Sequence, residues 1–143
     1  MAIPPIREDG YLPDGVHGAD VEEVRQRFGS ASVRRRELMK HVDLWVELAH
    51  AVAARRLLLD GSFVIQKHSP NDVDAVILLL LDFGDRLRDF DSLAWELRDC
   101  IHYGHPAELF LAFDEQRWQQ WIDYFSQVRG HNQIRKGLIE VVL

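Results

Sequence analysis

Apolar residues recur at three- and four-residue steps across positions 32–54. Leu38, Val42, Trp45, Leu48, Ala49 and Val52 fall on one face, which predicts a long amphipathic helix whose apolar side needs a sheet to cover. The period then changes. Positions 57–59 form a short apolar run of the kind a buried strand makes, and Gly61-Ser62 is a turn pair at its end. Phe63, Val64 and Ile65 can pack as a short helical turn, Ser69-Pro70-Asn71 is loop chemistry, and a second strand is predicted over 72–81. There Val73, Ala75, Ile77 and Leu79 point one way, while Asp72, Asp74, Val76, Leu78 and Leu80 point the other. Both faces turn apolar after the acids, as a central strand covered on both sides requires.

The remaining segments fit around this core. Asp20 is placed to cap a helix, DVEEVRQRF, with acids in its first turn and arginines later, and Phe28-Gly29-Ser30 ends it. Asp82-Phe83-Gly84-Asp85 reads as a turn, followed by a helix over 92–101 with Leu93, Leu97 and Ile101 or Trp95 on its buried side. Positions 107–113 alternate and predict a third strand. Asp114 caps a helix, DEQRWQQWIDYFSQV, whose stripe of Trp118, Trp121, Ile122 and Phe125 reads as core, with part of it a candidate homodimer contact. Gly130-His131-Asn132 breaks that helix, and 136–143 predict a terminal strand. The proline- and glycine-rich opening reads as an extended arm over 1–19, pinned by Ile3, Ile6, Tyr11 and Leu12. The expected fold class is α/β (α+β): one mixed sheet flanked by helices, forming a single domain over 20–143.

The chemistry gathers where the first two core strands meet. At Gly61-Ser62 a backbone can approach a phosphate closely. Asp72 and Asp74, two apart at a strand's start, share a face and repel each other unless a cation lies between them. Magnesium takes oxygen ligands and keeps bound phosphates in its shell, so it is the expected resident. Lys67 and His68 follow the turn; both suit a solvated loop, and Lys67 is also a candidate to neutralise phosphate charge. His102 and His105 lack an evident third ligand, so a zinc site is not expected.

A Gly-Ser pair followed after a short loop by Asp-x-Asp resembles the signature of the DNA polymerase beta nucleotidyltransferase superfamily. Here nine residues, Phe63 to Asn71, separate Ser62 from Asp72, at the short end of that pattern. The resemblance implies that Gly61 and Ser62, with Lys67 nearby, contact the nucleotide. It also implies a third acid on a later strand, for which Glu108 in AELFLAF is the candidate, with Glu in place of the commoner Asp. Asp72, Asp74 and Glu108 would then hold one or two magnesium ions. Over its whole length, through IPP, LPDG, EEVRQRFG, LDGSFV, PNDVD and KGLIEVVL, the chain resembles a small family of stand-alone nucleotidyltransferase-like proteins of bacteria, and it is expected to be complete. The implied activity is magnesium-dependent transfer of a nucleoside monophosphate from ATP or another nucleoside triphosphate to an acceptor hydroxyl on a protein, a tRNA end or a small molecule. A protein partner, as in toxin–antitoxin or phage-defence pairs, fits the small size and acidic balance best. The alternative is a non-catalytic nucleotide-binding or antitoxin-like module with the same fold.

Bulk properties trim this picture. A length of 143 residues suits one domain, and 47% hydrophobic with 28% charged content is ordinary for a globular protein. The net charge of −6 argues against a general nucleic-acid binder. Three basic clusters, Arg34-Arg35-Arg36 with Lys40, Arg55-Arg56, and Arg129 with Arg135-Lys136, read as solvated faces or local contacts for a nucleotide or partner. A single cysteine, Cys100, no basic leader and no long apolar segment lead to the expectation of a cytoplasmic protein without a membrane partner.

Overall fold

The structure, a computed structural model, describes residues 2–101 and 104–143. Its centre is a mixed sheet of five strands: β1 (Val16–Ala19), β2 (Arg56–Asp60), β3 (Val73–Leu78), β4 (Ala107–Ala112) and β7 (Leu138–Val141). Their spatial order is β1-β7-β2-β3-β4. β2 runs antiparallel to both β3 and β7, whereas β3 and β4 are parallel, as are β1 and β7.

Alternation along each strand sends side chains to two separate cores. On one face Leu57, Leu59, Val73, Ala75, Ile77 and Leu109 pack against α1 (Val21–Phe28), α2 (Val33–Ala51) and α4 (Ser92–Ile101). On the other, Leu58, Val76, Leu78, Ala112 and Leu138 meet Trp118, Ile122 and Phe125 of α5 (Glu115–Phe125). The domain is therefore a mixed α/β fold with a sheet between two helical layers. Local signals set the helix starts: Asp20 makes a capping box with Glu23, Ser32 accepts from the Arg35 N–H, and Asp114 accepts from the Arg117 N–H.

Several expectations need correction. The arm expected over 1–19 ends in strand β1, and Leu12 is fully buried; Gly137 N–H donates to the Leu12 carbonyl and Leu138 N–H to that of Gly15. This pairing supplies the partner that one side of β7 needs, a long-range demand that VHGA does not advertise. The expected turn at 82–85 is instead the start of a short helix, α3 (Phe83–Arg88). In α4 the buried face is Ala94 and Leu97, while Leu93 and Trp95 are exposed, because the helix is rotated about its axis to seat the small Ala94 against the sheet. The second strand stops at Leu78 rather than 81, and α5 stops at Phe125, giving way to a small hairpin of β5 (Gln127–Val128) and β6 (His131–Arg135) turned at Gly130 with φ +81°.

The closure between arm and β7 leaves no room at Gly137. A Cβ there would lie 2.1 Å from the Pro13 carbonyl oxygen and 2.9 Å from both His17 Nε2 and Leu12 Cβ. Gly137→Ala is expected to cost about 3 kcal/mol in urea denaturation, as overpacking of a tight backbone contact does. Unchanged stability would mean that the arm is detached from β7 in solution.

Two arginines of the cluster at the start of α2 are structural, whereas Arg36 and Lys40 are exposed. Arg35 is buried, and its guanidinium donates to the carbonyls of Phe28 (3.1 Å), Phe63 (2.6 Å), Ile65 (2.8 Å) and Lys67 (2.6 and 3.1 Å). Arg34 donates to the carbonyls of Pro70 (3.0 Å) and Asn71 (2.7 Å). Between them these two side chains strap the connection from β2 to β3 onto α2.

Candidate functional site

That strapped connection carries the Gly-Ser turn. Gly61 has φ +89°, and a Cβ on it would lie 3.1 Å from both the Asp72 carbonyl oxygen and the Asp74 nitrogen. A side chain is excluded by conformation and by space alike. The next residues, Ser62–Val64, form a single turn of 3₁₀ helix that returns the chain toward β3.

Register then assembles the acids. Asp60, the last residue of β2, lies opposite Asp74 on β3, and Asp74 lies opposite Glu108 on β4. Facing partners share a side of the sheet, so these three carboxylates form a row across three strands on the α5 face. Asp72 stands at the mouth of the row, one residue before β3. Its Oδ1 accepts from both the Ser62 N–H and the Ser62 hydroxyl at 2.8 Å, while the Ser62 Oγ accepts from the Asn71 N–H at 2.8 Å and the Asp72 N–H at 3.1 Å. The hydroxyl expected to meet the nucleotide is thus occupied in orienting Asp72.

Electrostatics mark the row as costly for a protein to keep empty of cations. Burial, reinforced by Asp72, Asp60 and Glu108, pushes the Asp74 carboxyl up to about 7 against the partial relief of Lys136. Burial likewise raises Asp60 above the usual carboxylate range, and Lys136 opposes the shift. The Lys136 ammonium sits 3.1 Å from Asp60 Oδ1 and 3.4 Å from Oδ2; only the second contact has hydrogen-bond geometry, leaving the buried Oδ1 without a hydrogen-bond partner.

The row forms one wall of a cleft of about 450 Å³. Its other walls are Tyr11 from the arm, Phe110, Tyr124 and Phe125, and Arg129 and Lys136 from the hairpin and its exit. Gly61, Ser62, Asp72, Asp74 and Glu108 all line this cleft. Lys67 does not join them: it lines a separate cleft with Arg27, Arg35 and His68, because the strap on its carbonyl turns that part of the loop toward α1. Of the histidine pair weighed for zinc, His105 is exposed, and His102 lies outside the described residues, as does the loop residue Tyr103.

Asp60 is the residue that sequence reasoning missed, and Lys136 reads from the sequence only as part of a basic cluster with Arg129 and Arg135. Asp60 directly follows the run Leu57–Leu59 and shares its alternation with Leu58, so strand parity carried a signal for it. Lys136 enters from the far end of the chain, where its basic cluster pointed to a nucleotide or partner contact but not to Asp60.

Among the described residues no three His, Cys, Asp or Glu side chains converge as a ready-made metal cage. The donor set nonetheless suits magnesium, which asks one or two carboxylates of a protein and completes its shell with water and substrate phosphate. Asp72 and Asp74 would provide those carboxylates, with Glu108 beside them, and the raised Asp74 carboxyl is relieved by positive charge.

Fold and site together define an α/β protein with an acidic cleft at the ends of three adjacent strands. The chain belongs to DUF6932, a family of unknown function whose pattern it matches over residues 4–142. No curated protein and no solved structure matches it. Among the described residues no helix is long and apolar enough to cross a membrane.

Proposed function

We propose that this protein is a magnesium-dependent nucleotidyltransferase that moves a nucleoside monophosphate from a nucleoside triphosphate to an acceptor hydroxyl. The observation that carries the reading is the in-register row Asp60, Asp74 and Glu108, with Asp72 held at its mouth by the Gly61-Ser62 turn. It is supported by the resemblance of that turn and Asp72-x-Asp74 to the polymerase beta superfamily, and by the order of helix, strand, turn and strand around them.

The residues divide the work. Asp72 and Asp74 would hold magnesium, which supplies charge neutralisation for the triphosphate and for the leaving diphosphate. Glu108 stands beside Asp74, where it can take the proton of the attacking hydroxyl. Arg129 and Lys136 bring positive charge to a cleft otherwise lined with acids. Ser62 acts through Asp72 as a positioning residue. The acceptor sought first is a protein, as in a toxin–antitoxin or phage-defence pair, with a tRNA end and a small metabolite as the other classes.

A second reading, a nucleotide-binding or antitoxin-like module without transfer, is favoured by one observation: the Ser62 hydroxyl is already taken up by Asp72. The test is to incubate the native chain and the Asp72→Ala/Asp74→Ala double variant with cell extract, magnesium and nucleoside triphosphates radiolabelled at the α-phosphate. Label should appear on a macromolecule or metabolite with the native chain and fall at least about a thousandfold in the variant, the scale of losing electrostatic stabilisation at a reacting phosphate. Magnesium-dependent nucleotide binding without transfer would establish the second reading. Neither binding nor transfer would sink both.

A further inference from the structure

We infer that the nucleotide is an adenine nucleotide whose base stacks on the Tyr124 ring, with the Gln127 amide reading the base edge. The inference rests on the nucleotidyl-transfer reading and names the base that the cleft takes.

Tyr124 is a ring that the core does not use. Trp118, Ile122 and Phe125 bury the sheet-facing stripe of α5. Tyr124 lies off that stripe, 60% exposed, at the wall of the acidic cleft. Its plane is nonetheless held. The Trp121 ring meets it at 80° with centroids 6.0 Å apart, and the Phe125 ring at 76° and 5.1 Å. Edge-to-face contacts of this kind favour one orientation over others, so the exposed ring is a prepared surface rather than a loose side chain. Phe110 joins the same cluster, 4.8 Å from Trp121 and 5.5 Å from Phe125 between ring centroids. It stands two residues beyond Glu108, on the same face of β4. The aromatic cluster therefore begins where the acid row ends.

Just past α5, Gln127 opens the small hairpin, exposed and lining the cleft together with Tyr124. The cleft thus offers a group for each part of a nucleotide. The acid row with magnesium, together with Arg129 and Lys136, suits the phosphates; the Tyr124 ring suits the face of the base, and the Gln127 amide suits its edge. Stacking accepts every base, and its strength grows with ring surface, which favours the purines. The amide then separates the two purines. It presents an N–H donor and a carbonyl acceptor side by side, a match for the N7 acceptor and N6 amino donor of adenine. Guanine shows two acceptors, N7 and O6, on that edge, so O6 would face the amide carbonyl and leave it unpaired.

The full chain is titrated calorimetrically with ATP, GTP, CTP, UTP and inorganic tripolyphosphate, each with magnesium and without an acceptor. ATP should bind most tightly, about tenfold better than GTP, the scale of one mismatched bidentate contact. Tyr124→Ala should weaken ATP at least about tenfold and leave tripolyphosphate unchanged, because only the nucleotide carries a base to stack. Tyr124→Phe keeps the ring and should bind ATP as the native chain does. Gln127→Ala should bring ATP to the level of GTP while GTP itself stays where it was. Another nucleotide bound as tightly as ATP would overturn the inference, as would ATP affinity indifferent to Tyr124→Ala or a matching loss of tripolyphosphate binding in that variant. Each of those results would leave magnesium-dependent nucleotide binding and the transfer reading standing. A native dimer that Tyr124→Ala dissociates would give the ring to a second copy and overturn the inference. Absence of magnesium-dependent binding for every nucleotide and for tripolyphosphate would remove the underlying reading as well.

Discussion

At about pH 8, Asp74→Asn is expected to be more stable than the native protein by as much as about 4 kcal/mol, while nucleotidyl transfer is lost. The magnitude is the shift from 3.8 to about 7 converted at about 1.4 kcal/mol per pKa unit. The sign follows from proton counting. Below about pH 4 Asp74 is protonated in both the folded and the unfolded chain and costs nothing. Between about 4 and about 7 the folded state holds a proton that the unfolded state has released, so native stability falls as pH rises. Above about 7 the full cost of a buried anion among anions is present. Asparagine keeps the shape and never ionises, so the advantage of the variant should grow across that window and then level off. Urea denaturation of both proteins at several pH values reads it directly. A difference that does not change with pH would refute the account of burial and mutual repulsion at the acid row. Magnesium should narrow the gap by stabilising the native protein at high pH and not the variant, since a cation that binds only the folded state adds to its stability.

Arg35→Met is expected to destabilise the protein by about 3 kcal/mol and lower the melting temperature by about 10 °C. Two effects compete. Losing the guanidinium relieves the cost of a buried cation, whose pKa burial holds below the usual arginine value. It also orphans the carbonyls of Phe28, Phe63, Ile65 and Lys67, each costing about 1–3 kcal/mol when left unpaired in the interior. Four orphaned acceptors outweigh one relieved charge. Lysine should recover little, because an ammonium cannot spread its donors over the same fork. The loop between β2 and β3 should loosen first, so amide exchange at residues 62–70 rises ahead of global unfolding. A stable Arg35→Met with an unchanged loop would show that the turn and Asp72 hold themselves in place. Because that loop presents Ser62 and Asp72, the prediction joins α2, far from any chemistry, to the geometry of the cleft.

Much of the fold was legible locally. Period located α1, α2, α4 and α5, and Asp20 and Asp114 accept from the N–H groups that their cap positions imply. Alternation placed Val73, Ala75 and Ile77 on one core and Val76 and Leu78 on the other. The hairpin after α5 and the helix α3 escaped notice, because both are short elements with no sustained period.

For the site, Gly61, Ser62, Asp72 and Asp74 follow from neighbouring residues and strand parity, Glu108 follows from the resemblance to the polymerase beta superfamily, and all five line the cleft. The sequence alone therefore determined that Asp72 and Asp74 share a face, because the two-residue period of a strand is a covalent property of the chain. Only the tertiary structure decided who stands beside them. Register across β2, β3 and β4 brought Asp60 into the row. The meeting of the chain's two ends carried Lys136 to it, and the Arg34 and Arg35 straps turned Lys67 away. Those choices are made by packing and backbone pairing between distant segments, where no local spacing reaches.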